Sequence, residues 1–286
     1  QGTSMIIQTL RKEYHAAICR EIIRTTKGFP SFADGTNRSS KEIAWGIVRR
    51  MGFEPGTDEV KEQTAGGRFE VITAKFLQSA FEQLSHLRPG KWYYSTLQTD
   101  IASFEQYQHL SYLADAITKD RDLASAFGGD YIVKPDIVVG KWPTTDDEIN
   151  QFSHVIDPDG QFAKLTSFRQ VNREKIVMSL HASVSCKWTI RSDRSQNTRT
   201  EALNLIRNRK GPLPHIAAVT AEPLPTRIAT LALGTGDLDC VYHFALNELE
   251  GAIEDCGNID QLDILKIMMD GRRLRDISDL PFDLAL

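Results

Sequence analysis

The stretch MSLHASVSCKWTIRSDR, residues 178–194, alternates apolar and polar side chains along most of its length. Its even positions up to 190 are Met, Leu, Ala, Val, Cys, Trp and Ile, and the odd positions between them are Ser, His, Ser, Ser, Lys and Thr. Because successive side chains of a strand point to opposite faces, this pattern predicts a strand with Cys186 and Trp188 toward the core. Ser183, Ser185 and Lys187 then share the polar face. Taken alone, the segment fits equally well a half-buried strand whose polar face is solvated.

The composition excludes several classes of protein. The chain has 286 residues, 41% of them hydrophobic and 25% charged, which is ordinary for a globular protein with a substantial core. No apolar run approaches the length of a membrane span and no secretory signal is present, so we expect a cytoplasmic protein without a membrane partner. The four cysteines lie far apart with no Cys-x-x-Cys pair, a pattern typical of reduced thiols that argues against a zinc site. We expect a single domain over residues 1–286, with residues 1–4 before Met5 an expression remnant.

The net charge of −4 conceals a basic segment. Residues 185–210 contain seven Lys or Arg against only Asp193 and Glu201, a local charge of +5, so the remainder of the chain carries −9. A focused basic patch in an acidic protein favours a polyanion held in one cleft. The alternative is a helix with a solvated basic face.

Helical and strand patterns alternate along the chain, which predicts an α/β protein with a central mixed β-sheet flanked by helices. We predict helices over residues 5–26, 68–87 (after a turn at TAGG), 100–127 (ending at Gly128-Gly129) and 197–209. We predict strands in DYIVKPDIVVG and PHIAAVTAEP and more sheet over 227–244. Pro135 inside the first of these strands implies a sheet edge or a bulge that re-aims Asp136.

Asp136, Lys187 and Glu201 together have the chemistry needed to hydrolyse a phosphodiester. Carboxylates hold a divalent metal that lowers the pKa of water and neutralises the charge of the transition state, and a cation contacts the attacking water. Carboxylate oxygens suit Mg²⁺. Each residue alone is weak support, since an aspartate before an apolar run is more often a cap or a turn residue.

These residues also carry a resemblance. PD at 135–136, SCK at 185–187 and Glu201 resemble a rearranged PD-(D/E)XK nuclease core, in which Ser185 stands where an acidic residue is usual and the helix supplies the carboxylate, as in CCGG-cutting restriction enzymes. SCKWTIRSDR, LNLIRNRKG, PHIAAVTAEP, ALGTGDLDCVYHFAL and DISDLPFDLAL are, more specifically, similar to NgoMIV-like type II (type IIF) restriction endonucleases. The N-terminal half is similar more sparsely, through ADGTN and EQTAGGRFE. The resemblance implies a restriction-endonuclease-like fold.

The resemblance also implies a set of catalytic residues. Asp136 would be the central metal ligand, the main-chain oxygen of Cys186 a second ligand, and Glu201 the carboxylate that completes a site for Mg²⁺, with two ions per site. Lys187 would contact the scissile phosphate and the nucleophilic water. The remaining members of the catalytic set would be Ser185 and, as an auxiliary carboxylate, Glu70. An ordinary glutamate in the first turn of a helix, favoured by the helix dipole, is the alternative for Glu70.

Arg191, Asp193 and Arg194 have the chemistry that reads G·C pairs. A guanidinium donates two hydrogen bonds to guanine, and a carboxylate accepts one from the cytosine amino group. The alternative is a surface salt-bridge cluster at a helix entrance. The resemblance implies a CCGG core, with outer base pairs read by Asp34, Thr36 (serine in the relatives), Gln63 and Arg227.

We therefore expect a bacterial restriction–modification endonuclease that cuts double-stranded DNA at a palindrome, G^CCGGC, as dimers that pair into homotetramers. A palindrome calls for a symmetric dimer; the tetramer is implied by the resemblance alone. A repair or junction-resolving nuclease is a second hypothesis, against which the base-reading residues argue. A DNA-binding relative without catalysis is the third, and intact Asp136, Lys187 and Glu201 argue against it.

Overall fold

The computed structural model describes residues 5–25, 27–128, 132–171, 175–234 and 236–286, without the side chains of residues 127 and 192–195. The chain forms two compact units. The larger unit comprises Gln1–Leu84, Val184–Leu203 and His215–Leu286, and the smaller comprises Ser85–Ser183 and Asn204–Pro214. This division does not test the prediction of a single domain, which stays a prediction.

The strands of the described residues form a six-stranded mixed sheet in the order β1-β2-β3-β4-β5-β6. Their bounds are β1 Trp92–Ser95, β2 Ile137–Lys141, β3 Ser179–Lys187, β4 His215–Thr220, β5 Cys240–His243 and β6 Leu274–Asp276. In the smaller unit β1 and β2 are antiparallel, with Tyr94 opposite Val139. In the larger unit β4, β5 and β6 are parallel, with Thr220 opposite His243 and His243 opposite Asp276. The predicted mixed sheet is confirmed.

Helices flank the sheet, as predicted. The larger unit contains α1 Ile6–Glu21, α2 Arg38–Met51, α3 Glu62–Glu82, α8 Pro225–Ala232, α9 Leu246–Cys256, α10 Ile259–Asp270 and the short α11 Leu280–Asp283. The smaller unit contains α4 His109–Lys119, α5 Arg121–Phe127 and the short α6 Asp146–Ile149. Helix α7, Ser192–Asn208, connects β3 to β4. No helix among the described residues combines the length and the apolar character needed to cross a membrane.

The core of the larger unit is held by close helix packing and by a part-buried ion cluster. A Cβ placed at Gly46 of α2 would lie 2.5 Å from the Cβ of Ala252, so only glycine allows α2 and α9 to approach this closely. Arg11 of α1 donates two hydrogen bonds to the carboxylate of Glu248 in α9 and two to that of Asp276 at the end of β6. The guanidinium of Arg11 thus joins three separate elements through bidentate hydrogen bonds to two carboxylates.

Several predicted boundaries are wrong for identifiable reasons. Helix α3 begins at Glu62, so TAGG lies inside it; burial of Ala65 and Phe69 outweighs a penalty of about 1 kcal/mol for each glycine. The predicted helix over 100–127 is instead two short 3-10 turns followed by the separate helices α4 and α5. The last of these ends before Gly128, as predicted. Pro135 precedes β2, which has neighbours on both sides, so it does not mark a sheet edge; the alternative of a bulge stays a prediction. Most of 227–244, predicted as sheet, is α8 and a loop before β5.

Candidate functional site

The site is built around a tryptophan that follows the end of β3. Trp188 is 4% exposed, and its ring lies 5.1 Å from that of Phe69, 5.6 Å from that of Phe32 and 6.1 Å from that of Phe244, measured between centroids. These three rings come from α3, from the loop before α2 and from the residue after β5. The burial of one side chain therefore gathers three elements of the larger unit around the end of β3.

The polar face of β3 is covered in its middle, so the alternative of a fully solvated polar face does not hold. Ser183 and Ser185 are 6% and 8% exposed, whereas Ser179, His181 and Lys187 on the same face are half-buried. The alternating apolar face is confirmed, with the thiol of Cys186 buried. The Lys187 carbonyl accepts a hydrogen bond from Ala221 N at 3.3 Å. Because successive carbonyls of a strand alternate in direction, the carbonyl of Cys186 points away from β4.

The predicted carboxylates lie on three different elements. Glu70 follows Phe69 on α3 and Glu201 lies on α7, both half-buried, while Asp136 directly precedes β2 in the smaller unit and is also half-buried. Across the described residues, no group of three or more His, Cys, Asp or Glu side chains is arranged to hold a metal ion. The expected ligand set has two carboxylates and a main-chain oxygen, so it is not tested by that finding and stays a prediction.

A cavity of about 710 Å³ opens beside the loop that follows β3 in the larger unit. Its wall comes from four segments, within residues 31–35, 60–65, 188–191 and 222–230. Three of the predicted base readers, Asp34, Arg191 and Arg227, line it. Residues that are 193 positions apart in the chain thus meet in one wall, which the sequence alone did not reveal.

Asp34 and Arg227 form a direct pair in this wall. Arg227 Nη2 lies 2.5 Å from Asp34 Oδ2, and Asp34 Oδ1 accepts hydrogen bonds from the backbone N of Thr36 at 2.9 Å and from its hydroxyl at 2.7 Å. The hydrogen bond from Arg227 and those from Thr36 hold the pKa of Asp34 well below its usual range. Three of the residues predicted to read the outer base pairs are therefore arranged as one hydrogen-bonded unit.

The other predicted readers are placed less tightly. Arg191 is exposed, with Nη2 at 3.7 Å from Glu62 Oε2, a surface pair of the kind that contributes little to stability. Gln63 is exposed beside Glu62 at the start of α3. Asp193 and Arg194 belong to the first turn of α7, which begins five residues earlier than predicted. Their side chains lie outside the described residues.

Sequence reasoning missed Glu222, which lies in the cavity wall and is 1% exposed. Its Oε2 accepts a hydrogen bond from Ile190 N at 2.9 Å, and its Oε1 accepts one from Leu224 N at 3.1 Å. Burial raises the pKa of this carboxyl to about 7, although the two backbone donors act in the opposite direction. One signal in the sequence could have found it: Glu222 comes two residues after the apolar strand HIAAVT. A carboxylate so close to a buried strand needs hydrogen-bond partners, because burying a charge without them is costly.

His243 is the second buried titratable group of this region. Its Nδ1 accepts a hydrogen bond from Ala245 N at 3.1 Å, so Nε2 carries the proton and donates to the Glu222 carbonyl at 3.0 Å. Burial lowers the pKa of His243 to about 4, which keeps the ring neutral. The ring therefore serves as a neutral bridge between β5 and the loop after β4.

Comparison with known proteins assigns this arrangement to a family. The model of the family described as NgoMIV restriction enzyme matches residues 14–286. The chain belongs to the NgoMIV restriction enzyme family. The type II restriction enzyme NgoMIV of Neisseria gonorrhoeae is 47% identical to it over 282 residues, covering 96% of this chain and 97% of the relative. The chain is thus a homologue of a site-specific deoxyribonuclease, and the predicted family is confirmed.

Two solved structures of restriction endonucleases are more distantly similar to this family member. The type IIF enzyme Bse634I with cognate DNA has a TM-score of 0.37 at 13% identity, covering 93% of this chain and 91% of that one. The PspGI complex with substrate DNA has a TM-score of 0.26 at 16% identity, covering 87% of this chain and 92% of that one.

The raised pKa of Glu222 predicts a pH dependence of stability. Between the ordinary carboxyl pKa of 4.5 and about 7, the folded protein holds a proton on Glu222 that the unfolded chain has released. Stability contributed by this group therefore falls as pH rises through that window. The Glu222→Gln side chain does not titrate and so does not lose stability in this way. The free energy of unfolding of the variant minus that of the wild type should therefore increase across the window, by up to ~1.4 kcal/mol per pH unit. Urea unfolding at several pH values measures the difference; a difference that is flat with pH would contradict the prediction.

Proposed function

We propose that this protein is a Mg²⁺-dependent endonuclease of a restriction–modification system that cuts double-stranded DNA at a CCGG-core palindrome, G^CCGGC. The observation that carries the proposal is that Asp34, Arg191 and Arg227 lie in the wall of one cavity. Arginine and aspartate together are the side chains that distinguish G·C pairs in the major groove. The cavity also opens beside the loop that starts immediately after Lys187, so recognition and cleavage share one segment of the chain.

The donor set fits a hard divalent cation. The Cys186 carbonyl points away from β4, and the carboxylate of Glu201 is half-buried rather than enclosed in the core. Together with Asp136, these would supply oxygen ligands, which Mg²⁺ prefers. When bound, such an ion supplies an activated water and neutralises phosphate charge.

The chain's own groups orient the reactants. Lys187 is half-buried and ends β3, with its backbone held by Ala221 and the following indole packed among three aromatic rings. Its ammonium would therefore lie at a defined place and donate hydrogen bonds to the scissile phosphate and the attacking water. Ser185, two residues earlier on the same face, and Glu70 beside Phe69 complete the catalytic set of this proposal.

Lys187→Ala tests the active site. We expect cleavage to fall by several orders of magnitude, because the cation at the phosphate is lost, while binding to the cognate site in Ca²⁺ persists. Cleavage time courses and binding titrations measure the two effects. Lys266→Ala, which removes an exposed lysine of α10, is the matched control and should cut like the wild type. Undiminished cleavage by Lys187→Ala would overturn the assignment.

Arg227→Ala tests the reading of the outer base pair. The wild type should cut a DNA of known sequence only at GCCGGC, leaving four-base 5′ overhangs. The variant should lose ~1–3 kcal/mol of discrimination at the outer position and keep its CCGG requirement, because the Arg191 segment is untouched. Mapped fragment ends measure both properties. Ends at sites without a CCGG core would refute the recognition proposal.

Assembly is also part of the proposal. A palindrome has two-fold symmetry and each chain holds one site, so two copies are needed to cut both strands. We further propose that the dimers pair into homotetramers that hold two DNA duplexes. Support comes from the smaller unit, where Phe152, Phe162 and Leu165 are 92%, 84% and 94% exposed. These three large apolar side chains lie within residues 152–165, and an apolar surface formed by them would suit a contact between copies of the chain.

The tetramer predicts cooperation between sites. A plasmid with two recognition sites should be cut faster than one with a single site, and an oligonucleotide that carries the site should accelerate the slow plasmid. An oligonucleotide of equal length without the site is the control. Equal rates on both plasmids, with the mass of a dimer in light scattering, would contradict the tetramer.

A further inference from the structure

Glu222 lies where two segments of the proposed recognition wall meet. One of its carboxylate oxygens accepts the backbone N–H of Ile190 and the other accepts that of Leu224, at 2.9 and 3.1 Å. Ile190 directly precedes Arg191. Leu224 is the N-cap residue of α8, and its carbonyl accepts the backbone N–H of Arg227 at 3.0 Å. A single carboxylate thus connects the backbones that carry the two arginines of the cavity wall.

The carboxylate itself has little freedom to move. The backbone N of Glu222 donates to the Thr220 hydroxyl at 3.1 Å, and its carbonyl accepts from His243 Nε2 at 3.0 Å. The peptide of Glu222 is therefore held to the ends of β4 and β5. Since the side chain is 1% exposed, water does not compete for its oxygens.

We propose that Glu222 is a positioning residue for DNA recognition, which holds Arg191 and Arg227 at the separation needed to read the inner and outer base pairs of one half-site. This inference rests on the proposed function, because it assigns base reading to these two arginines. Glu222 does not itself contact a base; it affects base recognition by positioning the two arginines. It acts on discrimination between sequences more than on the rate of the chemical step.

The chemistry of the two contacts explains why a carboxylate is needed. Both partners are N–H donors, and above the pKa of about 7 the ionised carboxylate presents an acceptor oxygen to each. A glutamine of nearly the same shape has one acceptor oxygen and one donor group, so either Ile190 N or Leu224 N would face another N–H. Aspartate keeps two acceptors but is shorter by one methylene and cannot extend from the same backbone to both. Glu222→Gln and Glu222→Asp therefore disturb the spacing by independent means.

A purely structural role would destabilise the protein without changing which sequences it cuts. Asp276→Asn is the matched control for that role. Asp276 is 7% exposed and its oxygens accept the backbone N–H groups of Leu246 and Ser278, but it lies outside the cavity wall. The variants and the control are compared as full-length proteins.

The measurement is the ratio of kcat/KM on a duplex with the cognate site to that on duplexes with one substituted outer or inner base pair. Glu222→Gln and Glu222→Asp should lower this ratio by about tenfold or more, the size of one lost base contact. Asp276→Asn should lower the temperature of unfolding and leave the ratio unchanged. In Glu222→Gln combined with Arg227→Ala, outer-pair discrimination should equal that of Arg227→Ala alone, because Glu222 acts there through Arg227.

An unchanged ratio in either Glu222 variant that folds, or additive losses of outer-pair discrimination in the double variant, would overturn the inference. Failure of the proposed function is distinguishable, since it would appear in the wild type as cleavage without sequence preference or as no cleavage. If neither Glu222 variant folds while Asp276→Asn does, Glu222 is a folding residue and the inference is likewise overturned.

Discussion

Burial of Trp188 is the interaction on which the rest of the site depends. Trp188 is 4% exposed, and its indole packs among Phe32, Phe69 and Phe244. This packing fixes the position of the backbone at the end of β3. Lys187 precedes this ring and the loop to Arg191 follows it. Because aromatic packing of this kind is dense and directional, it holds Lys187 and Arg191, the proposed catalytic and reading residues, on one rigid segment.

Around that ring, buried polar groups define the shape of the cavity wall. Glu222 and His243 are both almost fully enclosed, and both have backbone partners for the atoms that burial removes from water. Burial shifts their pKa values in opposite directions, to about 7 and about 4, since it disfavours the charged form of each. A loop rich in such contacts keeps its geometry without regular secondary structure.

The two arginines of the wall each lie beside a carboxylate. Arg227 contacts Asp34, which also accepts two hydrogen bonds from Thr36, and Arg191 lies 3.7 Å from Glu62. The contact with Asp34 restricts the rotamers of Arg227 and so would reduce the entropy that this side chain loses in the proposed contact with a base pair. The net positive charge of segment 185–210 attracts a polyanion. The contacts with carboxylates instead position the arginine side chains.

By itself, the sequence determined the α/β class, the apolar face of β3 with Cys186 and Trp188, the strand β4 and, through a resemblance, the family. These properties follow from the alternation of apolar and polar residues and from short motifs, both of which involve residues close together in the chain. Only the tertiary structure decided that Gly66 and Gly67 are helical, that Ser183 and Ser185 are covered, that Asp34 meets Arg227 and that Glu222 joins two loops. Each of these depends on contacts between residues far apart in the chain, whose burial outweighs local propensity and has no local signature.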